Sequence, residues 1–275
     1  MTYNYTGIDI GSTMTKVVII DENERIIASF HSASVPEHQR LAGRMMQEAL
    51  TLAGLKSKDI GYIVSTGYGR VNVPFADKQI TEITCHARAV SRLLPAVRTV
   101  IDIGGQDCKA IKVSNGKVVD FVMNDKCAAG TGRFIEVMAE SLGVKLEDVG
   151  PLSLSAQSEV AIANTCTVFA EREVVAQLTE GVPVADLLAG VHKAIATRIF
   201  GMASRLKMER EVAVSGGGAK NTGLIRALEV KLGYPVLIPA EPLLMGAIGA
   251  AMLGKEIVNK AATAGQFLPV KNYVL

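Results

Sequence analysis

The sequence lacks a long hydrophobic run. No segment offers the ~18 uncharged residues of a membrane span, and the most apolar late stretch, residues 235–253, is interrupted by Pro239, Glu241 and Pro242. The first residues, MTYNYTGIDIG, have neither the basic start nor the apolar core of a signal peptide. We therefore predict no membrane helix and a cytoplasmic location.

Clusters of basic residues are also missing. The formal net charge is +2, and the lysines and arginines are scattered among acidic residues. Nucleic-acid binding needs a basic run or a basic patch interleaved with aromatics, so we predict no nucleic-acid partner. Hydrophobic residues make up 49% of the 275 residues and charged residues 20%, which is enough apolar material for one or two globular domains.

Paired cysteines are the third absence. The sequence contains Cys85, Cys108, Cys127 and Cys166, which lie far apart and form no CxxC pair. A reducing cytoplasm would also keep them from forming structural disulfides. Any special role of these residues is therefore in metal binding, redox chemistry or catalysis.

One pattern occurs twice. Residues 5–27 read YTGIDIGSTMTKVVIIDENERII, and residues 99–122 read TVIDIGGQDCKAIKVSNGKVVDFV. Each has a short apolar strand with an aspartate, a turn of small residues and a second β-rich run with a lysine. One such segment also fits an ordinary strand end and turn, but two copies in register favour two related α/β halves.

The repeated turns have the features of phosphate-binding loops. Backbone N–H groups of small residues approach an anion closely, and an aspartate holds Mg²⁺ or its waters against a triphosphate. Asp9 and Asp102 are the candidates for the Mg²⁺ role. Gln106, a polar residue in the second turn, is the candidate for orienting the attacking water.

A glycine turn follows a third strand pattern in EVAVSGGGAKNTGLIRALEVKLG. Gly216, Gly217 and Gly218 leave room for a base or ribose to pack on the backbone, and an amphipathic helix is predicted to begin near Asn221. The signal is weak by itself, because the GxGxxG dinucleotide pattern is missing from the first βα turn.

Two cysteines precede predicted helices. Cys127 lies in NDKCAAGTGRFIEVMAESLG before a helix of about 132–142, and Cys166 lies in ANTCTVFAEREVVAQLTEG before a helix of about 168–179. A helix N-terminus stabilises a thiolate or an anionic cluster. Since a cubane iron-sulfur cluster usually takes four thiolates, two chains around a twofold axis would complete the set. The alternative is that both are small buried hydrophobic residues.

The two DIG loops, the SGGG turn and the small-residue helix MGAIGAA at 245–251 resemble the sugar-kinase, actin and heat-shock-chaperone ATPase superfamily. The resemblance implies an α/β fold of two ribonuclease-H-like domains, with ATP or ADP and Mg²⁺ in the cleft between them. It also implies that a set of loop residues binds the nucleotide: Gly11, Ser12, Thr13, Lys16, Gly104, Gly105, Gln106, Asp107, Gly216, Gly217 and Gly218.

The domain boundaries follow from the repeat. We expect residues 1–95 with residues 243–260 to form the first domain, and residues 96–242 to form the second domain with the two helix-leading cysteines. Residues 261–275 are predicted to be a C-terminal tail.

A narrower resemblance covers the chain from about Gly7 to Leu253. The strings TGYGR, ADKQ, IDIGGQD, MNDKCAAGTGRF, TCTVFAE and GAIGAA resemble the activators of 2-hydroxyacyl-CoA dehydratases and the related ATPase subunits of benzoyl-CoA reductases. The resemblance implies a homodimer in which Cys127 and Cys166 of both chains ligate one 4Fe-4S cluster. It further implies ATP-driven one-electron transfer from reduced ferredoxin or flavodoxin to a partner dehydratase or reductase.

Some positions fall outside this pattern. Arg172 stands where family members often have serine, and it would raise the cluster potential, contact a partner or simply be solvated. Cys85 and Cys108 are not predicted ligands, and His86 lacks the rest of a ligand set.

Two other functions fit the same superfamily. A small-molecule kinase would contain no iron, and its ATP hydrolysis would need an acceptor. A nucleotide-dependent scaffold or filament protein would polymerise and tolerate Cys127→Ala. Neither function explains two cysteines that precede helices.

Overall fold

The computed structural model describes residues 3–266 and Tyr273. Two units of the chain can be distinguished. The first contains the described residues up to Pro95, the stretch Asn115–Val118 and the described residues from Leu244 onward, and the second contains Ala96–Ser114 and Val119–Leu243. Within the described part of the chain, no helix is long and apolar enough to span a membrane.

Strands and helices are numbered in chain order. The strands are β1 (Asn4–Ile10), β2 (Met14–Ile20), β3 (Ile26–Ala33), β4 (Ile60–Thr66), β5 (Lys78–Gln79), β6 (Thr99–Ile103), β7 (Cys108–Ser114), β8 (Lys117–Asn124) and β9 (Val212–Ser215). The α-helices are α1 (His38–Ala53), α2 (Glu82–Leu93), α3 (Gly132–Ser141), α4 (Leu146–Ser153), α5 (Thr167–Thr179), α6 (Val184–Ala203), α7 (Thr222–Leu232) and α8 (Met245–Thr263).

The first unit is built on a five-stranded sheet in the order β3-β2-β1-β4-β5. The central strand β1 is antiparallel to β2 and parallel to β4. These three strands are rich in Ile and Val and largely buried, as expected for strands covered on both faces. Helix α1 packs against β2 and β3, whereas α8 packs against β1, β4 and α2. The glycines and alanines of residues 246–251 are buried and let α8 lie close to the sheet.

The second unit contains a four-stranded sheet in the order β8-β7-β6-β9. Strand β6 is antiparallel to β7 and parallel to β9, which repeats the arrangement around β1. Side chains from β6, α3, α6 and α7 form its hydrophobic core, with Phe134, Val191 and Leu224 among the buried residues. The two strand hairpins predicted from the repeated sequence pattern are confirmed.

Part of the predicted C-terminal tail, residues 261–275, is described by the structure. Helix α8 continues to Thr263 because alanines at 261 and 262 favour the helix. Tyr273 is buried in the core of the first unit, and its hydroxyl donates a 2.6 Å hydrogen bond to Asp77 Oδ2. Residues 267–272, 274 and 275, which belong to the same prediction, lie outside the described residues.

Candidate functional site

The first DIG loop joins β1 to β2. Asp9 and Lys16 face each other across the two strands, and Lys16 Nζ lies 3.0 Å from Asp9 Oδ2. Between them the chain turns at Gly11, whose N–H donates a 3.1 Å hydrogen bond to the carbonyl of Met14. The next residue, Ser12, is exposed. The loop thus places a partly buried ion pair beneath small residues that a phosphate can approach.

The second DIG loop repeats this geometry between β6 and β7. Lys109 faces Asp102 across the strands, and its Nζ lies 3.8 Å from Asp102 Oδ2 and 2.6 Å from Asp107 Oδ2. The Lys109 side chain is only 2% exposed, so its charge is balanced by these carboxylates rather than by water. The N–H of Gly104 donates to the carbonyl of Asp107, and Gln106 is exposed at the turn.

The glycine turn after β9 lies against the second DIG loop. Gly216 has a φ of +83°, and a Cβ atom there would lie 2.6 Å from Asp102 Oδ1. The hydroxyl of Ser215 donates a 3.2 Å hydrogen bond to the same oxygen. Gly217 is exposed. Within the second unit, the structure therefore brings together the aspartate and the glycine turn that the sequence analysis singled out separately.

An equivalent turn in the first unit was missed as a site element. Gly67 follows β4 with a φ of +84°, and a Cβ atom there would collide with Asp9 Oδ1 and lie 2.5 Å from the carbonyl oxygen of Ile10. The sequence does contain a signal for this turn: TGYG stands at the end of β4 as SGGG stands at the end of β9. In each unit, the strand before the glycine turn is parallel to the strand that contains the DIG aspartate. TGYGR is also one of the strings on which the family resemblance rests.

His86 also lies near the first aspartate. A Cβ atom on Gly246 would lie 2.8 Å from Asp9 Oδ2 and 3.2 Å from His86 Nε2. Both side chains are buried. The described residues contain no group of three or more histidine, cysteine, aspartate or glutamate side chains arranged to hold a metal ion.

The four cysteines fall into two classes. Cys85 and Cys108 are buried, and burial raises the pKa of the Cys85 thiol to about 12 and shifts the pKa of the Cys108 thiol in the same direction. Cys127 and Cys166 are partly exposed. The Cys127 Sγ atom lies 3.9 Å from the carbonyl oxygen of Thr165, the residue directly before Cys166. The two segments predicted to bind a cluster therefore lie side by side.

The two cysteines lie at different distances from the helices that follow them. Cys166 is the N-cap residue of α5, as expected. Cys127 is instead separated from α3 by a turn in which the N–H of Thr131 donates to the carbonyl of Ala128. The chain reaches the helix only after Gly130, which has a φ of +92°. Cys127 therefore belongs to a loop and not to the first turn of α3.

Side chains form hydrogen bonds with the backbone of both cysteine segments. Asn124 Nδ2 donates to the carbonyl oxygens of Cys127 (2.8 Å) and Ala129 (3.0 Å). The Glu173 carboxylate accepts a 2.8 Å hydrogen bond from the N–H of Ala163, just ahead of Cys166. Arg172, the departure from the family pattern, is exposed on α5.

Backbone hydrogen bonds connect the second DIG loop to the helix after Cys127. The carbonyl of Gly104 accepts a 2.9 Å hydrogen bond from the N–H of Gly132, and the carbonyl of Gly105 accepts a 2.8 Å bond from the N–H of Arg133. These N–H groups belong to the first residues of α3, whose donors have no partner within the helix. Two backbone hydrogen bonds therefore join the loop to the first turn of α3.

Known proteins resemble the chain along most of its length. The sequence profile of the BadF/BadG/BcrA/BcrD ATPase family matches residues 6–254. The 2-hydroxyisocaproyl-CoA dehydratase activator of Clostridioides difficile is 44% identical over 247 residues (90% of this chain, 92% of the relative). The (R)-2-hydroxyglutaryl-CoA dehydratase activating ATPase of Acidaminococcus fermentans is 45% identical over 249 residues (90% and 95%). A benzoyl-CoA reductase component of Thauera aromatica is 31% identical over 271 residues (94% and 96%).

Solved structures of known proteins also resemble the chain along most of its length. Component A of the Acidaminococcus fermentans (R)-2-hydroxyglutaryl-CoA dehydratase has a TM-score of 0.90 at 42% identity, covering 94% of this chain and 99% of that one. The activator of the 2-hydroxyisocaproyl-CoA dehydratase from Clostridium difficile, with bound ADPNP, has a TM-score of 0.90 at 40% identity (98% and 100%). A ROK-family glucokinase from Streptomyces griseus shares only the fold, with a TM-score of 0.58 at 14% identity (93% and 100%).

These matches confirm the α/β fold of the actin-like and sugar-kinase ATPases, the resemblance to dehydratase activators and the assignment as an ATPase. The matched region contains both DIG loops, the glycine turn and both partly exposed cysteines. The chain therefore belongs to the BadF/BadG/BcrA/BcrD ATPase family.

Proposed function

We propose that the protein is an ATP-driven activator that transfers single electrons from reduced ferredoxin or flavodoxin to a 2-hydroxyacyl-CoA dehydratase or a related iron-sulfur reductase. The observation that carries this proposal is the pairing of Cys127 and Cys166. They are the two partly exposed cysteines, and their segments meet at the Thr165 carbonyl. Relatives named as dehydratase activators support the choice of partner.

The donor set fits half of an iron-sulfur cluster. Each chain supplies two accessible thiols, whereas Cys85 and Cys108 are buried and hard to ionise. A cubane cluster takes four thiolates, so we propose that Cys127 and Cys166 of two chains hold one 4Fe-4S cluster on the twofold axis of a homodimer. When bound, the cluster would accept and pass on one electron. Cys166 is the N-cap residue of α5, and the positive end of the helix dipole would favour an anionic cluster at this position.

The DIG loops are the proposed binding site for ATP and Mg²⁺. The residues in this role are those of the first loop (Gly11, Ser12, Thr13 and Lys16), those of the second loop (Gly104, Gly105, Gln106 and Asp107) and the glycine turn (Gly216, Gly217 and Gly218). Asp9 and Asp102 are each close to a lysine, so their charge is already partly balanced. Because Mg²⁺ keeps several of its waters, we propose that these carboxylates hold it through water. The exposed Gln106 would orient the attacking water.

Hydrogen bonds between the second DIG loop and α3 are the proposed coupling element. ATP can shift a conformational equilibrium only if it binds one state better than the other. A loop that closes on the γ-phosphate would move the carbonyls of Gly104 and Gly105, and with them the N–H groups of Gly132 and Arg133. The cysteine segment before α3 would then change position with the nucleotide state.

An anaerobic electron-transfer assay tests the proposal. Protein reduced by flavodoxin is mixed with a 2-hydroxyacyl-CoA dehydratase, and reduction of the dehydratase is followed by its absorbance with and without Mg-ATP. We expect reduction only with Mg-ATP, and loss of reduction in Cys166→Ala. Cys85→Ala is the matched control, because it removes a buried thiol and should transfer electrons normally. Transfer by Cys166→Ala at the wild-type rate would refute the cluster assignment.

A further inference from the structure

A cavity of about 370 Å³ lies in the second unit between β8, the loop before α3 and the end of α6. None of the residues assigned to the nucleotide or to the cluster lines it. Its polar lining comes from five side chains: Asn124, Asn164, Thr197, Arg198 and Arg205. Volumes of about 300–1,000 Å³ are typical of small-molecule sites.

Two guanidinium groups in the lining have no anionic partner. Arg198 is half-buried and Arg205 is exposed, and neither forms an ion pair or hydrogen bond with any of residues 3–266 or Tyr273. The described part of the lining contains no acidic side chain. A partly desolvated cation without a partner is unfavourable, and the planar fork of arginine matches a carboxylate or phosphate with two parallel hydrogen bonds. The charge of the cavity therefore selects an anion.

The rest of the wall limits what the anion is attached to. Asn124, Asn164 and Thr197 add neutral hydrogen-bonding groups, whereas Met123 and Met202 add flexible apolar surface. A bare inorganic ion would leave this apolar surface without contact. The lining suits an oxyanion on a short apolar body.

We propose that this cavity binds a small organic anion, with its carboxylate or phosphate group on Arg198 and its apolar part against the methionines. Asn124 lines the cavity and also donates to the carbonyls of Cys127 and Ala129. An occupant that contacts Asn124 therefore steadies the loop that contains Cys127. The binding itself requires neither iron nor electron transfer.

Calorimetric titration of the intact protein, with ADP and Mg²⁺ in excess to fill the nucleotide site, tests the proposal. The probes are butyrate and butyl phosphate, with butyramide as the uncharged analogue. At least one of the two anions should bind saturably, and butyramide should bind at least about tenfold more weakly, because it cannot form charge-assisted hydrogen bonds. The anion that binds more tightly identifies the preferred oxyanion.

Three variants assign the binding to this cavity. Arg198→Gln should weaken binding by at least about tenfold. Arg226→Gln, which removes an exposed charge on α7 outside the cavity, should leave binding unchanged. Gly201 lines the cavity in α6, and a Cβ atom there would have no neighbour within 4 Å, so Gly201→Leu should fold normally and obstruct the site.

The proposal is overturned if neither anion binds wild-type protein up to about 10 mM. Binding that survives both Arg198→Gln and Gly201→Leu would overturn it as well, because the anion would then lie elsewhere. Circular dichroism spectra of each variant establish that the chain is folded. Since Gly201→Leu keeps both arginines, it tests the location even if Arg198→Gln fails to fold.

Discussion

Replacing Gly216 by alanine tests the contact between the glycine turn and Asp102. Gly216 has a φ of +83°, and an added Cβ would lie 2.6 Å from Asp102 Oδ1 and would also collide with the carbonyl oxygen of Ile103. Its ψ is 178°, so the backbone lies in a region open essentially only to glycine, where another residue costs about 1–3 kcal/mol. Forcing the backbone and Asp102 apart adds about 1–3 kcal/mol. We expect Gly216→Ala to lower the free energy of unfolding by about 2–6 kcal/mol in total.

Gly233 is the control for a positive φ without a close neighbour. It ends α7 in the same unit with a φ of +81°, and a Cβ atom there would have no neighbour within 4 Å. Because its ψ of 11° places Gly233 in the left-handed region, Gly233→Ala should cost only about 1–2 kcal/mol. Urea unfolding followed by circular dichroism measures both. Equal losses of stability in the two variants would refute the close approach of Gly216 to Asp102.

A neighbouring substitution separates stability from nucleotide binding. Gly217 is exposed, and the nearest atom to an added Cβ is Leu243 Cδ1 at 3.8 Å. Gly217→Ala should change the free energy of unfolding by less than about 0.5 kcal/mol. If the turn receives adenosine, the methyl group should weaken Mg-ATP binding by about tenfold, as measured by calorimetry. Unchanged affinity would remove Gly217 from the proposed nucleotide site.

Three further measurements probe buried charge and thiol reactivity. Lys109→Met should lower the free energy of unfolding by roughly 3–5 kcal/mol because buried carboxylate charge loses its partner, whereas Lys193→Met, at an exposed ion pair, should cost less than about 1 kcal/mol. Burial lowers the pKa of His192 from 6.5 to about 4, so its stabilising contribution is present above pH 6.5 and is lost as the pH falls towards 4. Between pH 6.5 and pH 4, the free energy of unfolding measured with urea should therefore fall by roughly 3 kcal/mol less in His192→Gln than in wild type. Iodoacetamide should modify Cys127 and Cys166 of metal-free native protein and leave the two buried cysteines unmodified, as read by mass spectrometry.

The local plan of both loops was predictable from the sequence. An aspartate near the end of one strand and a lysine near the start of the next face each other when a short turn joins antiparallel strands, and Asp9 with Lys16 and Asp102 with Lys109 do so. Cys85 lies in TEITCHARAV, whose apolar residues recur at helical spacing, and this local pattern predicts the burial that Cys85 shows in α2. These features depend on residues close together in the sequence.

Features that depend on distant residues were not predictable. The contact of Gly67 with Asp9 requires β4 to lie parallel to β1, which a crossover through α1 determines. The donors of α3 reach Gly104 and Gly105 only because the chain returns from β8 to the β6–β7 loop. Burial of Tyr273 likewise depends on long-range packing, and the local pattern contains no signal for it.

Iron and acid-labile sulfide in anaerobically purified protein test the central proposal most directly. The cluster assignment predicts about four irons and four sulfides per two chains in wild type, and loss of both in Cys127→Ala and in Cys166→Ala. Cys85→Ala, which removes a buried thiol, should keep them. Wild-type protein that remains free of iron after anaerobic reconstitution, or a full iron content in both Cys127→Ala and Cys166→Ala, would contradict a cluster shared by two chains.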